Sequence, residues 1–252
     1  VKLLVNKQEW SEWNYDKNPT PDQLLEFGRR CPQDFVDELR LKHIRKYLPR
    51  TGTILEVGCG SGRLLTRVGL INTNRYRVIG LDFVEGSARL IQANLNKFNV
   101  NGNSIQGNAF DLPIKNNSTD VVMSGGVLEH FDYVQSCKVI QEMSRVLKSD
   151  GLFYADIVPE MSSLCRPVVL TKHGEYENNF TKEQWKKILE EYGFTDIEIF
   201  TGLILPPNFY GWYHSGIQLD IMYKIQPYLN YFDNTIVGDV LGFCYYVFAK
   251  KR

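Results

Sequence analysis

Three glycines at every second position, Gly58, Gly60 and Gly62, follow an apolar run that contains one acidic side chain, Glu56. The stretch reads Ile54-Leu-Glu56-Val-Gly58-Cys59-Gly60-Ser-Gly62 and passes directly into an amphipathic segment, Arg63 to Leu70. An apolar run, a glycine turn and an amphipathic segment in that order predict a strand entering a tight turn at the start of a helix. Glycine there admits positive φ and leaves no Cβ between the backbone and a ligand. Amide N–H groups at a helix start suit an electron-rich or anionic partner. Glu56, Gly58, Cys59, Gly60 and Gly62 are therefore candidate ligand-binding residues.

Spacing narrows the ligand. A dinucleotide fingerprint needs glycine at its first, third and sixth positions, and the sixth position here is Arg63. A P-loop needs Gly-Lys-Ser/Thr, and the loop has no lysine. A second carboxylate, Asp82, closes the apolar run Arg77 to Asp82. It falls roughly 20 residues beyond the loop, where nucleotide-binding α/β folds place the residue that grips ribose hydroxyls. A carboxylate accepts two hydrogen bonds from a vicinal diol, and Phe83 beside it could pack on a purine ring. Asp82 could also cap the predicted helix Glu85 to Leu95, and the two roles are compatible. A proton acceptor comes later. His130 follows the apolar run Ser118 to Ser124 in Gly125-Gly-Val-Leu-Glu-His130. An imidazole with its ordinary pKa near ~6.5 is suited to taking a proton at neutral pH. A helix-capping or core histidine is the alternative reading.

Taken with Gly107-Asn108-Ala109-Phe110-Asp-Leu-Pro113, these segments resemble the class I S-adenosylmethionine-dependent methyltransferases, in particular the small-molecule, type 11-like subgroup. The glycine loop is similar to that family's motif I, Glu/Asp-x-Gly-x-Gly-x-Gly, and Leu128-Glu-His130 to a signature of the subgroup. The third segment is similar to Gly-Asp-Ala-x-x-Leu-Pro, with Asn108 in place of the aspartate. The resemblance covers about residues 53 to 158. It implies S-adenosylmethionine as cofactor, held by Glu56, Gly58, Cys59, Gly60, Gly62, Asp82, Phe83, Asn108, Ala109, Phe110 and Gly125. Asn108 would accept from the adenine amine through its amide oxygen. The implied reaction is methyl transfer to an oxygen or nitrogen of a small molecule, with His130 as candidate base. Alternatives are a protein or RNA methyltransferase of the same fold, or a cofactor-binding partner protein that does not methylate. No Asn/Asp-Pro-Pro-Tyr/Phe motif follows the fourth strand, where Ser124-Gly-Gly-Val stands instead.

The strands and helices that must carry these residues follow from the same patterns. The fold that the resemblance implies is α/β: a Rossmann-like, seven-stranded, mostly parallel sheet with an antiparallel last strand and helices on both faces. Residues 1–50 form an N-terminal helical lid on this reading, and 51–252 the methyltransferase domain, with insertions at 159–180 and 202–241. Pro32 to Tyr47 is predicted helical, with Phe35, Leu39, Ile44 and Leu48 on one side. Trp10, Trp13 and Tyr15 either line the ligand or belong to a helical flank, and Tyr15 is the candidate substrate contact. Further candidates are His173 in the first insertion and Tyr210 and His214 in the second. Thr181 is the expected N-cap of a helix Lys182 to Tyr192. Ile217, Ile221, Ile225 and Leu229 recur at helical spacing. The second insertion therefore reads as an aromatic cap, as a homodimer face, or as a helical hairpin with its own core.

Composition agrees. The 252 residues carry 29 basic and 29 acidic side chains, a formal net charge of zero, so there is no electrostatic footprint for nucleic acid. Cys31, Cys59, Cys137, Cys165 and Cys244 are odd in number and contain no Cys-x-x-Cys pair. That pattern predicts a reducing, cytoplasmic setting and no metal site. The run Ile236 to Ala249 is too short to span a bilayer.

Overall fold

The structure, a computed structural model, describes residues 32–157, 178, 180–204 and 216–252. Seven strands form one sheet: β1 (Gly52–Val57), β2 (Tyr76–Asp82), β3 (Gly102–Gln106), β4 (Thr119–Gly125), β5 (Leu147–Ile157), β6 (Phe194–Ile204) and β7 (Gly242–Lys251). Their order is β3-β2-β1-β4-β5-β7-β6. β1 through β5 pair in parallel, and β7 runs antiparallel between β5 and β6. The chain builds outward from β1 to β3 and returns to place β4 on the other side of β1. That reversal opens a crevice at the carboxyl ends of β1 and β4, where open α/β sheets bind ligands.

Helices cover both faces, so the central strands are apolar on both sides. Ile54, Val78, Val121 and Tyr154 point into one core, and Leu55, Ile79, Val122 and Phe153 into the other. The first core takes α1 (Pro32–Ile44), α2 (Arg63–Ile71), α3 (Glu85–Lys97) and α6 (Gly216–Leu229). The second takes α4 (Tyr133–Val146) and α5 (Lys182–Glu191). A short α7 (Ile236–Leu241) precedes β7. The Thr181 cap falls where it is expected, whereas α3 has Val84 at its N-cap and no side-chain cap bond, so Asp82 does not fill that place. Thr181 accepts from the Gln184 amide in a reciprocal capping box, and Asp132 does the same with Gln135 at the start of α4.

α6 is helical, as its apolar spacing predicts. Ile221 and Ile225 are nevertheless 50% and 40% exposed, whereas Met222 and Gln226 are buried. The helix is apolar on more than one side, so periodicity alone does not choose the face. The choice falls to tertiary packing, where Tyr223 meets Phe35 of α1 edge-on with ring centroids 5.0 Å apart.

Candidate active site

A cavity of about 610 Å³ occupies the crevice between the ends of β1 and β4. Among its lining residues are Glu56, Gly58, Cys59 and Gly60 from the first loop, Asp82 and Phe83 from the second, Asn108, Ala109 and Phe110 from the third, and Gly125 and His130 from the fourth. Four stretches far apart in sequence thus meet at one opening. Gly62 does not line it. It is the N-cap of α2 with φ 74°, and a Cβ there would come within 3.2 Å of Ile91. Its role is to pack the loop on α3. Gly58 has φ 71°, and a Cβ on it would lie 2.6 Å from Val127. That contact is what lets the loops after β1 and β4 close on each other.

Asp82 does more inside the protein than its spacing suggests. Its Oδ2 accepts from the Gly60 amide at 2.9 Å, and its Oδ1 from the Val84 amide at 3.0 Å. One amide of the glycine loop is therefore engaged by the neighbouring strand rather than offered to a ligand. The carboxylate retains lone pairs toward the cavity. Burial pushes its pKa up, and these hydrogen bonds oppose the rise. Asn108 is similar: its Oδ1, expected to face an adenine amine, accepts from the Phe110 amide at 3.0 Å in a local turn. Cys59 is a buried wall thiol whose pKa is driven well up by burial and by the charges of Glu56 and Asp82, so it stays protonated.

Glu56 carries the strongest signal. It is 4% exposed on the cavity wall, and its Oε2 has no hydrogen-bond partner. Burial raises its pKa well above the usual carboxylate range, Asp37 adds to the rise and Arg40 opposes it. An orphaned buried acceptor costs free energy until a donor meets it. Beside it, Arg40 donates to Asp156 Oδ1 at 2.6 Å and also lines the cavity. A buried carboxylate beside a guanidinium fits the ammonium and carboxylate of an amino-acid moiety, which S-adenosylmethionine has. Asp82 could hold the ribose, and Phe83, Ala109 and Phe110 could enclose the base.

Sequence reasoning did not name the side chains that α1 brings to the cavity. Val36, Asp37 and Arg40 line the cavity. Asp34 and Asp37 are buried against Arg63 and Arg67 of α2. Arg63, which breaks the dinucleotide spacing, thus clasps α1 against the helix of the glycine loop. The three-residue spacing of Asp34, Asp37 and Arg40 was the available signal, but it reads equally well as a solvated face.

His130 ends a 3-10 turn, Leu128–His130, directly after β4; it is 8% exposed and faces the cavity. Tyr15, His173, Tyr210 and His214 lie outside the described residues. Tyr223, Tyr228, Tyr231 and Phe232 do not line the cavity. Among the described residues, no group of histidine, cysteine and carboxylate side chains could hold a metal ion, and no helix is long and apolar enough to cross a membrane.

Comparison with known proteins bears on the family and the fold. Residues 55–155 match a family model described as "Methyltransferase domain". A Saccharolobus solfataricus protein described as "Probable cobalt-precorrin-6B C(15)-methyltransferase (decarboxylating)" is 30% identical over 142 residues, 54% of this chain and 71% of the relative. An uncharacterized Haemophilus influenzae protein is 28% identical over 159 residues, 59% of this chain and 61% of the relative. The chain therefore spans about six- to seven-tenths of these two relatives. The crystal structure of a SAM-dependent methyltransferase from Archaeoglobus fulgidus superposes with a TM-score of 0.61 at 19% identity, covering 87% of this chain and 94% of that one. Identity at that level speaks for the fold alone. On the sequence match, the shared sheet and the four segments meeting at one cavity, this chain belongs to the class I S-adenosylmethionine-dependent methyltransferases, and its cofactor is S-adenosylmethionine.

Proposed function

We propose that this protein transfers a methyl group from S-adenosylmethionine to an oxygen or nitrogen of a small-molecule acceptor, with His130 taking the acceptor's proton. The observation that carries this reading is the place of His130, on the wall of the cavity that the glycine loop enters. When bound, the cofactor supplies an electrophilic methyl group on a sulfonium and leaves as S-adenosylhomocysteine. Glu56 and Arg40 hold its amino-acid end, Asp82 its ribose, and Phe83, Asn108, Ala109 and Phe110 its base. Val127 and Phe131 present hydrocarbon beside His130 and keep water from the acceptor. Holding the reacting groups in line supplies most of the acceleration. A net charge of zero favours a small acceptor over nucleic acid.

Calorimetry tests the cofactor site: S-adenosylmethionine and S-adenosylhomocysteine should bind, and binding of NADH alone would overturn the assignment. A screen for methylated product then names the acceptor atom; carbon, the site in the Saccharolobus relative's description, would remove the need for His130. With an oxygen acceptor, His130→Ala should lower turnover by about 10²–10⁴-fold with cofactor affinity kept. Undiminished turnover would take the proton-transfer role from His130.

We further assign a homodimer face to the second insertion and a cytoplasmic setting to the protein. Ile221, Ile225, Tyr228, Tyr231, Ile236 and Val240 are each at least 40% exposed within twenty residues, and apolar clusters of that kind mark interaction surfaces. Cys59, Cys137 and Cys244 are all free thiols, in keeping with a reducing compartment.

A further inference from the structure

Asn178 belongs to none of the motifs, yet it is 3% exposed and bound to the turn that carries His130. Its Nδ2 donates to the carbonyl of Leu128 at 2.9 Å and to that of Phe131 at 3.0 Å. Its backbone N–H donates to the carbonyl of Glu129 at 2.6 Å. Its Oδ1 accepts from the Phe180 amide at 3.3 Å, which fixes the carboxamide the right way round. Three carbonyls flanking His130 therefore converge on one residue that follows β5 in the chain.

The turn needs such a partner. Its own bonds are His130 N–H to the Val127 carbonyl at 3.1 Å and Phe131 N–H to the Leu128 carbonyl at 3.4 Å, the second beyond the usual range. Apart from that long bond to Leu128, carbonyls at the end of so short a helical turn have no intrahelical partners, and buried ones must be satisfied elsewhere. Asparagine suits the task because its carboxamide offers two donors and one acceptor. Aspartate of the same shape would set acceptor against acceptor.

The geometry points to Asn178 as the positioning residue for His130: it fixes the backbone on both sides of the imidazole and ties the segment before α5 to the cavity wall. This rests on the reading of His130 as proton acceptor for its catalytic consequence, but the placement can be tested without it. The chain has four histidines, so imidazole-labelled protein gives a simple NMR spectrum, and His130→Ala assigns one signal. In Asn178→Ala and Asn178→Asp, the His130 signal should move and gain contact with solvent. That of His43, on the opposite face of the sheet, should stay, and S-adenosylmethionine should still bind by calorimetry. With an acceptor from the product screen, each variant should lose about 10²-fold in turnover, the scale of a 1 Å misplacement. Asn178→Ala combined with His130→Ala should be no worse than His130→Ala alone. An unchanged His130 signal would overturn the inference, as would additive losses in the double variant. A moving signal with undiminished His130→Ala turnover would keep the placement and discard the base. Asn178→Ser, which retains one donor, is the milder variant. Unfolding of all three would make Asn178 a folding residue and overturn its positioning role.

Discussion

Around the carboxyl ends of β1, β2 and β5, Glu56, Asp82 and Asp156 are each less than a tenth exposed. Along α6, the turn after it and α7, by contrast, Ile221, Tyr228, Tyr231 and Ile236 are half or more in solvent. The two regions depart from the usual arrangement in opposite directions. Burying a carboxylate costs several kcal/mol unless it is paired, and leaving hydrocarbon in water forgoes about 25 cal/mol per Å². The first departure concentrates charge where a cationic, polar ligand can meet it. The second leaves a surface whose natural complement is another apolar surface. On the proposed reading, the first region meets a small ligand and the second a copy of the chain.

The largest test of the contrast is at the join of the two loops. Gly58→Ala should cost about 1–3 kcal/mol for the positive φ and roughly 1–3 more for the clash with Val127. Urea unfolding would read the loss, and an unchanged midpoint would mean that the loops do not close as described. Asp82→Ala comes next. It should weaken S-adenosylmethionine binding by about 1.5–3 kcal/mol, the scale of hydrogen bonds to a charged group. It should also lower stability, because the Gly60 and Val84 amides lose their acceptor. Unchanged affinity by calorimetry would remove Asp82 from the site.

A third test uses pH. Burial raises the folded pKa of Glu56 well above 4.5, so the native state holds a proton that the unfolded chain has lost. The contribution of Glu56 to the stability of the ligand-free protein is then fully present below about pH 4.5 and falls as pH rises through the raised value. An ammonium bound at Glu56 favours the carboxylate, so cofactor binding should release a proton. Affinity should rise with pH by up to about tenfold per unit across that range. Calorimetry in buffers of different ionisation enthalpy would detect the proton, and its absence would detach Glu56 from the ammonium. The smallest expected change in fold stability is on the apolar side. Ile225→Lys with Tyr231→Lys should alter it by no more than about 0.5 kcal/mol per residue, yet convert a dimer to monomer in sedimentation. An unaltered sedimentation coefficient would remove the dimer face.

Residues 54–62, 77–83, 107–113 and 125–130 were legible because each is a local pattern: an apolar run, a turn chemistry and a polar residue at its end. The strand and helix positions and the Thr181 cap follow from the same short-range rules, and the parallel sheet with its antiparallel last strand from the family resemblance. The sequence by itself therefore determined the sheet, the family and the cofactor. It could not determine which charges meet. The clasp of Asp34 and Asp37 on Arg63 and Arg67, the pairing of Arg40 with Asp156, and the bonds from Asn178 to the His130 turn all join distant segments. Nor could it choose the buried side of α6, since apolar residues surround that helix and only packing against α1 and the sheet selects Met222 over Ile221. Hydrophobic period and turn chemistry act over a few residues, whereas charge pairing and face selection act through space, and only the folded chain brings those partners together.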